Sequence, residues 1–285
     1  MYELIVDCTN RCVLNCRYCG TDSNSSDEQY LDYDTLEYVL KVAKSMSICV
    51  YLGGGCFFCH PNWKEILELN LKLNCHIIVD VPLDEKIFCL IQQYPPEKYN
   101  YTVSVSLWGI GEIHNRLSRT QHFILFEKYK KMLQSNMRVS FVITNELIDS
   151  YGDVIDFINN NQDIKFYFHR LMPTGRCKYD DLPGFSKIMN FKNEVVSNVN
   201  YKNILRFHHT LLSETFDDCK AYRDRLFIDY KGNIYGCGWV SSNVQPIGFI
   251  KQSNLQEMIF KAISGDYNSL IKCPLMQQNE LLTTL

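Results

Sequence analysis

Three cysteines lie within eight residues near the N-terminus: Cys12, Cys16 and Cys19. They follow an apolar run, Leu4-Ile5-Val6, that is typical of a buried strand. Thiolates spaced this closely can bind one metal centre, and soft sulfur ligands suit iron–sulfur clusters. A cubic cluster held by three thiolates has one iron without a protein ligand, which is free to bind another molecule. The spacing therefore predicts an iron–sulfur site just beyond the first strand.

A zinc knuckle or a chance grouping is the alternative interpretation of these cysteines. Structural zinc takes four Cys or His ligands. No Cys or His follows Cys19 within the next twenty-five residues. The C-x3-C-x2-C spacing therefore favours the iron–sulfur site over zinc.

Composition and charge narrow the class of protein. A chain of 285 residues is long enough for one large α/β domain, or for a medium domain and a small one. The net charge of −3 argues against a nucleic-acid partner or an anionic membrane surface. We find neither a transmembrane stretch nor a secretory signal. Thirteen cysteines, some needed as free thiolates, indicate a reducing cytoplasm.

Predicted strands and helices alternate along the first 171 residues. The helical pattern after the first strand has Asp34 as its predicted N-cap. Alternation at this spacing indicates parallel βαβ units, which right-handed crossovers curve into a partial (β/α)6 TIM-like barrel. Sites in such folds lie at the carboxyl ends of the strands, where the cysteine loop and Gly53-Gly54-Gly55 both fall. The predicted strands are 3–8, 48–52, 75–81, 101–107, 138–144 and 164–171.

The pattern changes after residue 176. Segments 225–230 and 234–237 flank a glycine-containing turn, which predicts a β-hairpin. Asn254 can cap a following amphipathic helix. We therefore expect an α/β barrel over 1–180, a connector over 181–216 and a small C-terminal α+β module over 217–285.

The cysteine motif resembles that of radical S-adenosylmethionine (SAM) enzymes, in which an aromatic residue precedes the last cysteine, as Tyr18 does here. The glycines Gly53, Gly54 and Gly55 resemble the motif whose backbone carbonyls receive the SAM amino group in that family. The usual Glu and Pro of that motif are Gly55 and Cys56 here. The resemblance implies a [4Fe-4S] cluster on Cys12, Cys16 and Cys19, with SAM on the open iron.

Two further segments resemble the subfamily that carries an auxiliary-cluster domain, called SPASM/Twitch. In the fourth predicted strand, Ser104 or Ser106 matches a position that can reach the SAM ribose. After this strand, Arg119 matches a position that can pair with the SAM carboxylate. A core serine and a solvated arginine are the alternatives. Segment 170–176 resembles the end of the sixth strand, where the backbone around Leu171 is expected to face the adenine.

The C-terminal cysteines resemble the opening half of the SPASM/Twitch module. Cys219, Gly232 and Cys237 have the spacing C-x12-G-x4-C. Cys273 falls where the module supplies C-x2-C, with Met276 in place of the last cysteine. The resemblance implies one auxiliary iron–sulfur cluster on Cys219, Cys237 and Cys273, whose fourth iron site is open or filled by another residue. Free cysteines without a cluster are the alternative.

The resemblance implies reductive cleavage of SAM to a 5′-deoxyadenosyl radical, which abstracts a hydrogen atom from the substrate. The predicted substrate is a ribosomally made peptide, cross-linked or otherwise oxidised. The alternatives are dehydrogenation of a small aminocyclitol or sugar, and a non-catalytic iron–sulfur electron carrier or sensor. The expected electron donor is a reductase, a flavodoxin or a ferredoxin. No catalytic residue is assigned.

One motif matches another chemistry. Cys56 to His60 read C-x-x-C-H, the haem-attachment pattern. Covalent haem attachment needs an exported chain, so we do not expect haem. The roles of Cys56, Cys59 and Cys177 stay open, whereas Cys49, Cys75 and Cys89 are typical of small core residues.

Overall fold

Six apolar segments form neighbouring parallel strands close to the predicted positions. The computed structural model describes residues 2–24, 27–208, 211, 221–238 and 244–267. The strands are hydrogen-bonded in chain order, which confirms the α/β class. They are β1 Glu3–Thr9, β2 Cys49–Gly54, β3 Ile77–Val81, β4 Tyr101–Leu107, β5 Met137–Ile143 and β6 Lys165–Arg170.

In the described part of the chain, four further strands extend the sheet at both sides. A short β7, Leu205–Phe207, pairs in parallel with β6. On the other side β8, Arg225–Ile228, pairs in parallel with β1. The predicted hairpin is confirmed, because β9, Asn233–Tyr235, runs antiparallel to β8. Another strand, β10 Gly248–Phe249, is antiparallel to β9. The C-terminal strands thus continue the sheet of the barrel, and the three-segment division stays a prediction.

Helices follow most strands and cover the outer face of the sheet. The N-cap of the first helix is Asp32 rather than the predicted Asp34, because the Asp32 carboxylate accepts the Thr35 N–H at 2.8 Å. Asn254 caps the helix that follows it, as predicted, and accepts the Glu257 N–H at 3.2 Å. In the described part of the chain, no helix has the length and apolar character to cross a membrane. The helices are α1 Tyr33–Met46, α2 Trp63–Leu73, α3 Glu85–Gln93, α4 Pro96–Tyr99, α5 Glu112–Ser118, α6 Phe126–Leu133, α7 Asn145–Asp149, α8 Tyr151–Asn159, α9 Phe185–Asn198 and α10 Leu255–Ser264.

The two faces of the parallel sheet differ in polarity. Along β1, Leu4, Val6 and Cys8 are fully buried in the main hydrophobic core. Successive side chains of a strand alternate between faces, so Asp7 lies on the opposite face. We call that opposite face the inner face. The strand registers place Asp80, Ser104 and Arg138 on it as well.

Candidate functional site

The cysteine loop, residues 10–24, begins where β1 ends. Two of its thiols receive backbone N–H groups: Leu14 N lies 3.4 Å from Cys12 Sγ, and Ser23 N lies 3.5 Å from Cys19 Sγ. The Thr21 hydroxyl lies 3.4 Å from Cys19 Sγ. Donors aimed at sulfur stabilise a thiolate, which is the form that binds iron.

A side-chain amide shapes the start of the loop. The Asn24 carbonyl oxygen accepts the Cys12 N–H at 3.0 Å. Its Nδ2 donates to the Cys12 carbonyl at 2.9 Å and to the Leu14 carbonyl at 3.1 Å. One asparagine therefore holds the backbone on both sides of the first cysteine.

Segment 170–176 packs on the other end of the loop. The Arg176 N–H donates to the Cys19 carbonyl at 3.0 Å. Gly175 adopts φ +60°, and a Cβ there would lie 2.3 Å from the same carbonyl. The resemblance assigns this segment to the adenine, and that assignment stays a prediction. The structure adds a contact that we did not predict, between the segment and the cysteine loop.

The triple glycine lies against the backbone of the cysteine loop. A Cβ at Gly55 would be 2.0 Å from the Arg11 carbonyl oxygen, closer than any packed atom tolerates. The Gly55 N–H donates to the Thr9 carbonyl at 2.8 Å. Gly54 has φ +99°, a region that favours glycine. The glycines therefore allow a close approach to the loop itself, and their predicted contact with SAM stays a prediction.

The chemistry of the donor set fits an iron–sulfur cluster. Cys12, Cys16 and Cys19 are free thiols. Burial raises the pKa of Cys12 to about 12 and that of Cys16 to about 11. Such thiols stay protonated alone, whereas coordination to a metal deprotonates them outright. Among the residues that the structure describes, no group of three or more His, Cys, Asp or Glu could hold a single metal ion. A cubic cluster differs, since each thiolate binds its own iron.

Two predicted cofactor residues, one of them in this loop, meet in a single apolar cluster. Tyr18 and Leu171 are 5% and 4% exposed and share a small apolar cluster with Leu117 and Cys177. Trp108 packs on this cluster and hydrogen-bonds to the Cys16 thiol, which partly offsets the effect of burial on its pKa. The structure therefore places an apolar wall next to the cysteine loop.

The other predicted cofactor residues lie in different surroundings. The Ser104 hydroxyl is fully buried, 3.1 Å from the Ser140 hydroxyl, and also bonds to Asp80. Ser106 is half-buried. Arg119 is exposed at the C-cap of α5, two residues after Leu117, whose carbonyl accepts the Arg17 N–H of the cysteine loop at 2.8 Å. Their roles toward SAM stay predictions.

A buried and a half-buried carboxyl group that we did not predict flank the triple glycine. Asp7 is opposite Gly53 in register and 8% exposed. A Cβ at Gly53 would lie 3.2 Å from the Asp80 carboxylate. Burial, reinforced by the charges of Asp229 and Asp80, raises the pKa of Asp7 to about 8. An acidic residue inside each apolar strand was the available sequence signal.

A buried arginine is the second unpredicted feature of the inner face. Arg138 is 7% exposed, and its guanidinium lies 4.6 Å from the ring centres of both Tyr51 and Tyr167. Its Nη1 donates to the Tyr51 hydroxyl at 3.0 Å. Its Nε is buried with no hydrogen-bond partner among the described residues. The inner face therefore combines a buried cation with carboxyl groups whose pKa burial raises.

Only one predicted auxiliary ligand falls within the described residues. Cys237 is half-buried just after β9. Gly232 adopts φ +87° in the turn of the hairpin. Cys219, Cys273 and Met276 lie outside the described residues, so the auxiliary site stays a prediction.

Comparison with known proteins identifies the family. The family model described as the radical SAM superfamily matches residues 6–158, more than half of the chain. The chain belongs to the radical SAM superfamily. That match includes the cysteine loop, the triple glycine and the inner-face serines. No curated protein matches this radical SAM chain.

Solved structures share the fold of this radical SAM protein. Streptococcus suis SuiB bound to S-adenosylmethionine has TM-score 0.72 and 16% identity, covering 96% of this chain and 71% of that chain. SuiB bound to its precursor peptide SuiA has TM-score 0.70 and 15% identity, covering 93% and 66%. Native anSMEcpe with bound AdoMet and Cp18Cys peptide has TM-score 0.62 and 16% identity, covering 90% and 79%. At these identities the likeness concerns the fold.

Proposed function

We propose that this radical SAM enzyme is of the SPASM/Twitch type and modifies a ribosomally made peptide, by cross-linking or another oxidation. The observation that carries the proposal is the cysteine loop: three free thiols beside a glycine segment at the carboxyl end of a parallel sheet. A [4Fe-4S] cluster bound by Cys12, Cys16 and Cys19 would supply the electron that cleaves SAM and so produces the radical that abstracts hydrogen.

The chain's own residues hold and shield this site. Asn24 and Arg176 fix the two ends of the cysteine loop through backbone carbonyls. Tyr18, Leu171 and Trp108 form an apolar wall. Exclusion of water matters here, because a carbon radical must meet only its substrate. The protein therefore contributes by holding the cysteine loop in place and by excluding water from the site.

The peptide substrate is supported by the two relatives that share the fold with bound peptide, SuiB with SuiA and anSMEcpe with Cp18Cys. The inner face also suits a polar chain, since it carries Asp7, Arg138 and two buried serines. Backbone amides and acidic side chains of a peptide find a guanidinium group and neutral hydrogen-bonding groups there.

The auxiliary cluster is part of the proposal. Cys219, Cys237 and Cys273 would hold it, with Cys237 placed by the hairpin that joins the sheet at β1. Such a cluster gives the substrate radical an electron acceptor. A flavodoxin, a ferredoxin or a reductase would supply electrons to the first cluster, and the cytoplasm is the proposed location.

Anaerobic reconstitution followed by an assay for 5′-deoxyadenosine tests the reaction type. We expect product from the dithionite-reduced wild type, none from Cys12→Ala, and wild-type amounts from Cys89→Ala, which changes an exposed thiol on α3. A wild type that binds iron and yields no 5′-deoxyadenosine would reject the enzyme in favour of an electron carrier.

A second experiment tests the substrate class. Short peptides encoded next to the gene are added to the reduced enzyme, and mass change is measured. A loss of hydrogen atoms in one peptide supports the proposal. Unmodified peptides together with oxidation of a cyclitol or sugar would replace it by the small-molecule dehydrogenase.

A further inference from the structure

A second pair of thiols lies directly after the triple glycine. Cys56 is fully buried, whereas Cys59 is half-buried. Residues Phe57–Cys59 form one turn of 3-10 helix, in which the Cys59 N–H donates to the Cys56 carbonyl at 2.8 Å. This turn brings the two side chains together, and the thiols are near enough to each other to interact.

The structure argues against haem at this motif. His60 is 1% exposed and both of its ring nitrogens are engaged. Its Nε2 donates to the Leu31 carbonyl at 2.7 Å, and its Nδ1 accepts the Asn62 N–H at 3.0 Å. A histidine tied on both sides has no lone pair left for iron. The C-x-x-C-H motif is therefore a pair of cysteines followed by a structural histidine.

The pair is joined to the cysteine loop. The Cys56 N–H donates to the Arg11 carbonyl at 2.7 Å, one residue before Cys12. The Cys59 thiol is near enough to Cys12 for its charge to raise the pKa of the Cys12 thiol. Since Cys12 is one of the three thiols that fit a cluster, Cys56 and Cys59 border that site while standing outside its C-x3-C-x2-C motif.

We propose that Cys56 and Cys59 are a redox-active dithiol, a modification site that closes to a disulfide on reaction with a low-molecular-weight disulfide such as oxidised glutathione. The half-buried Cys59 reacts first: its thiolate attacks one glutathione sulfur, and the other glutathione leaves as a thiol after taking up a proton. The buried Cys56 thiolate then attacks Cys59 Sγ and releases the second glutathione. The protein pair loses two electrons and two protons, and the oxidant gains both.

The spacing suits this step. Two cysteines separated by two residues on a helical turn place their Sγ atoms close enough to close a small ring. Cys59 offers access and Cys56 resolves the mixed disulfide, so each has a separate task. The inference concerns only these two thiols and does not depend on SAM cleavage.

The test is thiol mapping on the full-length, iron-reconstituted protein. After anaerobic exposure to oxidised glutathione, remaining thiols are alkylated and the protein is digested with trypsin. Cleavage after Lys44 and Lys64 releases a peptide that holds Cys49, Cys56 and Cys59. We expect this peptide to carry one alkyl group instead of three, and dithiothreitol to restore three. Three alkyl groups after exposure that fully modifies the exposed Cys89 would overturn the inference.

Variants assign the two roles. Cys56→Ser should stop at a mixed disulfide, with one glutathione retained on Cys59. Cys59→Ser should leave Cys56 alkylated. Cys49→Ser, which changes a buried thiol of β2, should close the disulfide as the wild type does. Iron content reports that each variant is folded, and a Cys12–Cys59 cross-link in the iron-loaded protein would contradict the pairing.

Discussion

The Nε atom of Arg176 donates to the carbonyl oxygen of Cys16 at 2.9 Å, across 160 positions of the sequence. The same guanidinium donates through Nη1 to the Ser23 carbonyl at 2.9 Å and lies 3.3 Å from the Asp22 carboxylate. A planar fork with several donors can bind such a set at once, which a lysine cannot. Arg176 therefore holds the cysteine loop against the end of the sixth strand.

Replacing this arginine should loosen the loop. We expect Arg176→Met to lower the free energy of unfolding by about 1.5 to 3 kcal/mol, the usual cost of losing hydrogen bonds from a charged group. Iron bound after reconstitution should fall as well. Arg176→Lys should restore the charge but little of the iron. Lys128→Met, at an exposed ion pair with Glu85, serves as control and should bind iron normally. Equal iron in all four proteins would contradict this role.

Gly55 is predicted to be intolerant of any side chain. A Cβ there would lie 2.0 Å from the Arg11 carbonyl oxygen, so Gly55→Ala must displace the backbone just before Cys12. We expect Gly55→Ala to lose most of its reconstituted iron and to unfold at lower denaturant concentration.

Gly152→Ala is the matched control for that substitution. Nothing lies within 4 Å of a Cβ at Gly152, in α8. Alanine in a helix should stabilise the protein by about 0.5 to 1 kcal/mol. Iron content and denaturant midpoint measure both variants, and an unchanged Gly55→Ala would mean that the glycines are not needed for the loop.

The parallel strands could be predicted because each is a short apolar run between helical patterns. The positions of the cysteine and glycine motifs could also be predicted, since each motif follows the end of a strand. The contact of Arg176 with Cys16 could not be predicted, because an isolated arginine near a loop leaves no local pattern. The pairing of β8 with β1 was missed for a related reason: partner choice between distant strands is decided by the whole sheet.

Individual side chains were harder to assign than elements. Asp34 was predicted as the N-cap from its place before an apolar face, yet Asp32 reaches the Thr35 N–H and Asp34 lies in the first turn. Cys89 was predicted in the core and is exposed on α3. Asp7 was overlooked although a carboxylate in an apolar strand is unusual. The raised pKa of Asp7 depends in part on Asp80 and Asp229, and only the fold brings these residues near it.

Asp7 should make stability depend on pH. Its pKa is raised to about 8 in the folded protein, so the folded state retains a proton that the unfolded state loses above about pH 4. The stabilising contribution is therefore complete at low pH and is lost as the pH rises through 8. Asp7→Asn cannot ionise and should lack this trend.

Denaturant unfolding at pH 5 and pH 8 measures the effect of Asp7. From pH 5 to pH 8, the free energy of unfolding of Asp7→Asn relative to the wild type should rise by about 2 to 4 kcal/mol. The slope is at most ~1.4 kcal/mol per pH unit. Asp163→Asn, at an exposed carboxylate paired with Lys130, should show a constant difference from the wild type. A constant difference for Asp7→Asn too would mean that its carboxyl is ionised in the folded state.

The predicted auxiliary site can be tested through the iron content of the protein. If Cys219, Cys237 and Cys273 hold a second [4Fe-4S] cluster, the reconstituted wild type should bind about eight irons per chain, and Cys237→Ala about four. Cys237 follows β9, and β9 is anchored to the barrel through β8 and β1, so its removal should leave the first cluster in place. Cys237→Ala should therefore still cleave SAM in the reduced state while failing to release oxidised substrate. Cys89→Ala is the control for loss of a thiol. About four irons in both Cys237→Ala and wild type would leave this protein with a single cluster, and about eight in both would remove Cys237 from the ligands.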